Sequence, residues 1–400
     1  MRVTFVSGIG IGNLVASPAV AVETSEQPEH SLLRRWSVWG LPIAFTIIWV
    51  VFVFTAGHLD RVVDNWRSST TMLFGSFVAG STPQGGGAVA FPVFTKVIGI
   101  NAPVARTFSV AIQATGMVMA SLSILLAGRK IDVKALALGT IGGSVGFLIG
   151  LFVLSNPDTT FWAPRIEPAF IKVAFTVIIF SVALIVRLCA KGAGKLPAVE
   201  KWGVRSIPLM LAFAIIGGMF SGLTGSGTDV FLFVFVVLVA GVSPKVAIPT
   251  SIIAMACVSV LGFLILGIWH GQLDIALDPT GTEVVGVGGA AFGPESAVQF
   301  DLFGIWLAAA PIVVWGAPLG AWLAAKVSEK TVIRFVGFIA LAEVATTIIF
   351  LDDLRTNPVL TATFVVGLIA AYFGVNALDK LAAWIMVDEP ESEPQPVKAG

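Results

Sequence analysis

Two glycine-rich stretches place polar residues in an otherwise apolar chain. The first reads GSTPQGGGAVAFP, from Gly80 to Pro92, and the second reads SGLTGSGTD, from Ser221 to Asp229. Glycines leave backbone N–H groups accessible, and a helix that starts at such a break directs its positive N-terminal end at the gap. Hydroxyl and amide side chains at the same place add neutral hydrogen-bond donors. The chemistry that these residue types predict is binding of a small anion.

The two stretches share a spacing with the residues that follow them. Pro103 lies 17 residues after Gly86, and Pro244 lies 17 residues after Gly227. A hydroxyl residue follows each proline by six positions and joins the prediction. The predicted anion-binding residues are Thr82, Gln84, Gly85, Gly86, Gly87, Ser109, Gly225, Ser226, Gly227, Thr228 and Thr250.

Small residues have a second use in membranes, because they allow helices to pack closely. That explanation suits the spaced series Gly139, Gly142, Gly143 and Gly146. It does not account for TPQGGG, which starts at Thr82 and combines a proline, an amide and three consecutive glycines. We therefore interpret the two breaks as binding elements.

Four ionisable residues are candidates for coupling or gating: Asp229, Glu343, Arg106 and Lys245. Glu343 lies in the apolar run GFIALAEVATTIIF, where a carboxylate either binds a coupling proton or pairs with a hydroxyl or a cation. Asp229 begins the second half-helix, either as its N-terminal cap or as a proton or cation site. Arg106 and Lys245 closely follow the two motif prolines, and either attract a substrate at opposite mouths or extend to the membrane interface.

Several function classes are disfavoured by composition. The two cysteines and three histidines are far apart in the sequence, so we predict no metal site and no cofactor. Formal net charge is zero, which gives no basic surface for a nucleic-acid partner. The segment Thr224-Gly225-Ser226-Gly227-Thr228-Asp229 has neither the Gly-x-Ser-Gly order of an intramembrane serine protease nor the Gly-x-Gly-Asp of an aspartyl one. We therefore predict that the chain is not an enzyme.

Long apolar runs predict an all-α polytopic membrane protein. Of the 400 residues, 56% are hydrophobic and 12% are charged, against about 25% charged in soluble domains. A run of about 20 apolar residues crosses a bilayer core. Eight runs meet this length, and two further segments, 70–99 and 206–241, are interrupted by glycines. The eight are 38–57, 104–127, 133–154, 169–188, 246–270, 302–325, 331–351 and 358–378.

Basic residues in short loops predict the cytoplasmic side. They cluster before the first span, at 129–134, in the loop 189–205 and at 326–334, whereas the loop 271–301 is acidic and is predicted to lie outside. Counting crossings between these loops requires each interrupted segment to cross an even number of times. Each is therefore predicted to be a re-entrant hairpin, and the first enters from outside while the second enters from inside. The protein is predicted to lie in the cell membrane, with the N- and C-termini of the chain in the cytoplasm.

Opposite directions of insertion and shared motifs predict an inverted-topology repeat, an architecture common in secondary transporters. Each half is a broken hairpin plus three spans: residues 70–188 form repeat 1 and residues 206–351 form repeat 2. Outside the repeats lie a first span and outer loop (38–69) and a last span (352–387). Residues 1–37 are predicted to be a flexible segment, with a signal peptide as the alternative, and residues 388–400 a disordered tail.

The repeated motifs make the chain resemble the sulfite exporter TauE/SafE family. The matching residues are GGGAVAFP with GINAPVARTFS, and SGLTGSGTD with GVSPKVAIPTS, and the resemblance covers about residues 70–385. It implies a permease that exports sulfite, an organosulfonate or a related anion by alternating access, with proton coupling as one option. Import of a sulfur-containing anion, a cation-linked permease and, more remotely, a channel or protease remain alternatives. The expected partners are a small anion and the lipid bilayer.

Overall fold

The computed structural model describes residues 32–98, 100–157, 159, 161–190, 196, 199, 202, 205–277, 283–285 and 301–386. The predictions for residues 1–31 and 388–400, and for most of the loops 189–205 and 271–301, fall outside this described part. Within it the chain is almost entirely helical, apart from one antiparallel pair of short strands, β1 Ile275–Leu277 and β2 Glu283–Val285.

The helices fall into two groups on either side of the loop 191–205. The first group is α1 Leu32–Thr55, α2 Leu59–Asp64, α3 Trp66–Ser81, α4 Gly87–Pro92, α5 Ala102–Leu126, α6 Val133–Phe152 and α7 Pro168–Ala190. The second group is α8 Ser206–Thr224, α9 Thr228–Val234, α10 Pro244–Gly262, α11 Leu302–Lys326, α12 Glu329–Phe350, α13 Asp353–Thr356 and α14 Pro358–Met386. Three π-helical segments extend α4, α9 and α10: Val93–Val97, Phe235–Val239 and Phe263–Trp269.

Eight helices in the described part are long and apolar enough to cross a membrane, which confirms the polytopic all-α class. The prediction differs from the structure at α8, which has 19 residues and is one of the eight. The segment 206–241 was predicted to be interrupted by glycines, and its break lies at Gly225, where α8 ends. Gly217 and Gly218 lie within α8, in tight contacts with neighbouring backbone.

Both interrupted segments fold back as hairpins. In the first, Gly75 of α3 lies against Val89 of α4. In the second, the ring of Phe220 on α8 stacks on that of Phe231 on α9, with centroids 5.8 Å apart. Each hairpin thus joins a long first helix to a short returning helix across a glycine-containing turn.

The two hairpins enter from opposite faces of the helix bundle. Glycine contacts align α3 with α11 in the same direction, and glycines of α6 align α8 with α6, again in the same direction. The N-terminal part of α5 contacts the loop after α6 through Arg106, while Arg129, beyond its C-terminal end, contacts Ala321 near the end of α11. Consequently α11 and α6 run in opposite directions, and so do α3 and α8. The inverted repeat as such stays a prediction.

The two faces of the bundle carry different charged residues. The face that we call the basic face carries Arg129, Lys130 and Lys245 around one cavity. On the other face, which we call the distal face, Arg61 forms an ion pair with Asp301. The same Asp301 carboxylate accepts a hydrogen bond from the Gly304 N–H and so caps α11, which ties the α1–α3 connection to the start of that helix.

Close glycine contacts between α6 and α8 should decide much of the stability. A Cβ added at Gly146 would collide with the backbone carbonyl of Ile215, whereas one at Gly374 would meet nothing within 4 Å. Gly146→Ala is expected to reduce the free energy of unfolding by about 1–3 kcal/mol, since backbone cannot move aside as a flexible side chain can. Thermal unfolding of the protein in detergent measures this effect, with Gly374→Ala as the control. Equal unfolding temperatures for the two variants would contradict it.

Candidate functional site

The two hairpin turns meet inside the bundle. Ser226 Oγ of the second turn donates a hydrogen bond to the carbonyl oxygen of Gln84 in the first, at 3.3 Å. The Gln84, Ser226 and Asp229 side chains are fully buried. The glycines have a clear conformational role here, because Gly85 and Gly225 have φ of +66° and +84°, values that favour glycine over residues with a side chain. The structure therefore brings residues of both predicted breaks into one buried cluster.

The returning helices α4 and α9 both start at this cluster, but they differ in whether side chains accept hydrogen bonds from their first backbone N–H groups. The first N–H groups of a helix have no acceptor within the helix. On α9, the Thr228 N–H donates to Ser221 Oγ at 2.9 Å and the Val230 N–H donates to Asp229 Oδ1 at 3.0 Å. No side chain caps α4, whose N-cap is Gly86. The first N–H groups of α4 are thus less satisfied by side chains than those of α9.

Gln113 on α5 connects the two hairpins and was missed in the sequence. Its Nε2 donates to the carbonyl oxygens of Gly225, at 2.7 Å, and Ser109, at 3.1 Å. Ser109 Oγ lies near the position that a Cβ on Gly87 would take. A signal did exist, because Ser109 and Gln113 are four residues apart and so share one face of a helix. The predicted Ser109 therefore lies at the cluster together with a neglected amide.

Other predicted binding residues form hydrogen bonds within their own turn or lie away from the cluster. The Thr82 hydroxyl donates to the Val78 carbonyl and accepts from the Gln84 N–H, which stabilises the first turn. Thr250 is not at the cluster: its hydroxyl accepts from the Asp132 N–H at the start of α6 on the basic face. Asp229 is not an N-cap, because Gly227 holds that position with φ of +150°.

A cavity of about 230 Å³ opens on the basic face and reaches Gly80, near the end of α3. We call it the basic vestibule. It is lined by Arg129, Lys130 and Lys245 and by Gly80, which lies two residues before the turn. Partial burial lowers the pKa of the Arg129 guanidinium, because desolvation penalises its charged form. The structure thus places Lys245 at the wall of this cavity, beside Arg129 and Lys130.

A distal layer covers the cluster on the other side. Arg106 is fully buried, so it does not extend to the interface, and its guanidinium donates to the carbonyl oxygens of Phe161 and Trp162. The Trp162 ring contacts the His270 ring, with centroids 4.1 Å apart. Burial lowers the pKa of His270 below its ordinary value of 6.5, which keeps the imidazole neutral at neutral pH. Arg106 therefore ties the loop after α6 to the start of α5.

Glu343 is remote from the cluster and has partners of its own. Its carboxylate forms a buried ion pair with Lys96 Nζ at 2.5 Å and accepts a hydrogen bond from the Thr176 hydroxyl at 2.9 Å. The Lys96 ammonium also donates to Thr347 Oγ1 at 2.7 Å. These contacts tie the end of the first hairpin to α7 and α12, and so favour the structural interpretation of Glu343.

Comparison with known proteins identifies the chain's relatives. The family model described as sulfite exporter TauE/SafE matches residues 69–347, which include both hairpins and the glycine clusters. The chain belongs to the sulfite exporter TauE/SafE family. It is therefore a membrane permease of anions, as the resemblance of its two motifs implied. Searches of curated proteins and of solved structures returned no match.

Gly85 offers a direct test of the contact between the turns. A Cβ at this position would meet Asp229 Oδ2 and come within 3.2 Å of Gln113 Oε1. We expect Gly85→Ala to abolish anion flux, since the added methyl separates the turns while an αL alanine costs only about 1–2 kcal/mol. The measurement is flux into proteoliposomes that contain equal amounts of folded protein.

The matched control for this variant is Gly57→Ala. Gly57 has a similar φ of +69°, and nothing lies within 4 Å of its Cβ position. It imposes the same backbone strain without the contact, so its flux should be normal. Unchanged flux in Gly85→Ala would show that the turns tolerate separation.

Proposed function

We propose that the protein is a secondary transporter of small sulfur-containing oxyanions, sulfite or an organosulfonate, that works by alternating access. The observation that carries this proposal is the meeting of two hairpin turns, at Gly85 and Gly225, in a buried cluster. A basic vestibule reaches Gly80, two residues before the first of these turns. Helix N-termini and free backbone amides bind anions without a full compensating charge. Such a site holds an oxyanion and can still release it.

The basic vestibule supports movement of an anion between water and the cluster. Arg129, Lys130 and Lys245 raise the local concentration of anions at its mouth. Gly80, on its wall, is packed against the Ala317 backbone of α11, so the path runs along the α3–α11 contact. The vestibule therefore leads an anion to the uncapped end of α4.

The distal layer supports alternating access rather than an open pore. Arg106, Trp162 and His270 cover the cluster on the face opposite the vestibule. A transport cycle would open this layer and close the vestibule by rocking one hairpin with its neighbouring helices against the other. The direction of net flux would then follow the gradients of the anion and of any coupling ion.

The arrangement of charges supports placing the basic face in the cytoplasm. α1 runs antiparallel to α11, with Trp39 stacked on Trp315 and the Trp49 indole donating to Leu307. Its N-terminal end therefore lies on the basic face. α14 follows α12 back to that face, which places the end of the last span there as well. The proposed location is the cell membrane with both termini inside.

Uptake of radiolabelled sulfite into proteoliposomes tests the substrate class. Saturable uptake is expected, with competition by sulfonates and thiosulfate and weaker competition by carboxylates, because the site recognises a tetrahedral or pyramidal oxyanion. Protein-free liposomes and the Gly85→Ala variant provide the baselines. Absence of saturable flux for every sulfur oxyanion, with folded protein, would refute the proposed substrate class.

Charges of the vestibule should affect substrate affinity rather than the rate of the cycle. We expect Lys245→Gln to raise KM for sulfite about two- to fivefold with little change in kcat, since one exposed charge contributes up to about 1 kcal/mol. The effect should shrink in high salt because solvent ions screen the charge.

Lys380→Gln is the matched control, since Lys380 is exposed on α14 and away from the vestibule. Equal KM values for the two variants at low salt would remove the vestibule from the substrate path.

A further inference from the structure

We propose that Asp229 binds a proton at the contact between the two hairpin turns, shares it with Gln113, and exchanges it once in each transport cycle. The proposal deepens the proposed function by naming the coupling ion and its site. It rests on the geometry of two buried oxygen atoms that have no hydrogen-bond donor.

One oxygen of the Asp229 carboxylate lacks a partner. The residue is fully buried, and its Oδ1 accepts from the Val230 N–H at 3.0 Å. The other oxygen, Oδ2, has no hydrogen-bond partner in the structure. A buried carboxylate oxygen with no donor is costly when it is ionised. Protonation of Oδ2 removes the charge and turns the atom from an acceptor into a donor.

The acceptor for that proton is the side-chain oxygen of Gln113. Its amide orientation is determined by its neighbours, because Nε2 faces two carbonyl oxygens, those of Gly225 and Ser109, which accept hydrogen bonds but cannot donate them. Oε1 must therefore point away from them, and it too is buried without a partner. A flipped amide would leave its oxygen against both carbonyls.

Gly85 brings the two unpartnered oxygens together. The three heavy atoms nearest to the position of a Cβ on this residue are Asp229 Oδ2, Gln113 Oε1 and Ser226 Oγ. The Ser226 hydroxyl donates to the Gln84 carbonyl instead. Two acceptors that face the same point repel each other unless one of them carries a proton. A proton needs no added space, whereas a metal ion needs several oxygen ligands. No group of three histidine, cysteine or acidic side chains occurs in the described part of the chain.

No fixed charge in the described surroundings replaces the proton. The basic residues on the helices around α9 have other surroundings. Arg106 donates to carbonyl oxygens of the distal layer, Lys245 lines the vestibule, and Lys172 interacts with Asp353. Lys134 lies over the Trp202 ring, and Arg187 is exposed at the surface. In the remaining buried pair, the positive charge of Lys96 neutralises the negative charge of Glu343.

Proton binding at this site favours anion binding beside it. An ionised Asp229 would place a negative charge on the α9 side of the contact, next to the uncapped end of α4 where the anion is proposed to bind. The neutral acid removes that repulsion. In the cycle, the turns separate towards one face, and a proton from water there binds to Asp229 Oδ2. When the turns separate towards the other face, the Oδ2–H bond breaks and the proton passes to water on that side. One proton therefore moves with each anion.

The test compares Asp229→Asn with the wild type in sulfite exchange between equal pools across the membrane. Asparagine is isosteric and offers an N–H donor to Gln113, so it mimics the protonated acid. We expect the variant to retain exchange but to lose acceleration by a pH gradient. Wild-type exchange should fall up to tenfold per pH unit on the alkaline side of the titration, because one proton is bound. Ionisation of sulfite itself is common to both proteins and cancels in their ratio at each pH.

Asp379→Asn is the matched control, since Asp379 is exposed on α14. It should keep the pH dependence of the wild type. A gradient response that persists in Asp229→Asn, or that follows sodium instead of pH, would overturn the proposal.

A second measurement is independent of transport and so separates this proposal from the proposed function. Infrared difference spectra of the reconstituted protein between acid and alkaline pH should contain the carbonyl stretch of a buried protonated carboxylic acid. The band should disappear in Asp229→Asn, shift in Gln113→Leu and remain in Asp379→Asn. If the wild type transports no sulfur anion, this band still decides whether Asp229 binds a proton. Its absence from the wild type at acid pH would refute proton binding.

Discussion

The structure depends on one constraint: backbone that leaves helical geometry inside the bilayer must find its hydrogen-bond partners within the protein. Both hairpin turns meet it with contacts from elsewhere in the chain. Gln113 donates to the Gly225 carbonyl, and Ser226 donates to the Gln84 carbonyl across the contact. The first turn is therefore supported by the second, and the second turn is supported by α5. Such support allows an irregular, polar cluster to exist inside a protein that is otherwise apolar.

Close helix packing supplies the geometry that the constraint requires. The glycines of α6 and α8 permit backbone contact, as Gly146 against Ile215 and Gly218 against Gly143 demonstrate. Lipid offers no hydrophobic gain for burying one apolar face against another, so such small residues provide the contact area. The long first helix of each hairpin is thereby held alongside a full span, and the two returning helices reach the same cluster.

Four buried charged residues of the described part are accommodated in different ways. Lys96 and Glu343 neutralise each other, and Arg106 is surrounded by carbonyl oxygens. Asp229 has neither kind of partner for its Oδ2, which lies, like the unpartnered oxygen of Gln113, beside the position of a Cβ on Gly85. A charge that the fold leaves uncompensated is one that a mobile ligand can compensate. This contrast, rather than burial alone, distinguishes a residue suited to a transport cycle from residues that stabilise the scaffold.

The sequence by itself determined the membrane class, the positions of both breaks and the family, because apolar run length and glycine clusters are local properties. It did not determine which side chains meet. Gln113 was overlooked because helices in lipid are apolar on every side, so periodicity does not mark the buried face. Its partner Gly225 lies 112 positions away in the chain, and Lys96 and Glu343 are 247 positions apart. Only the tertiary structure could reveal those contacts, since they follow from how whole helices pack.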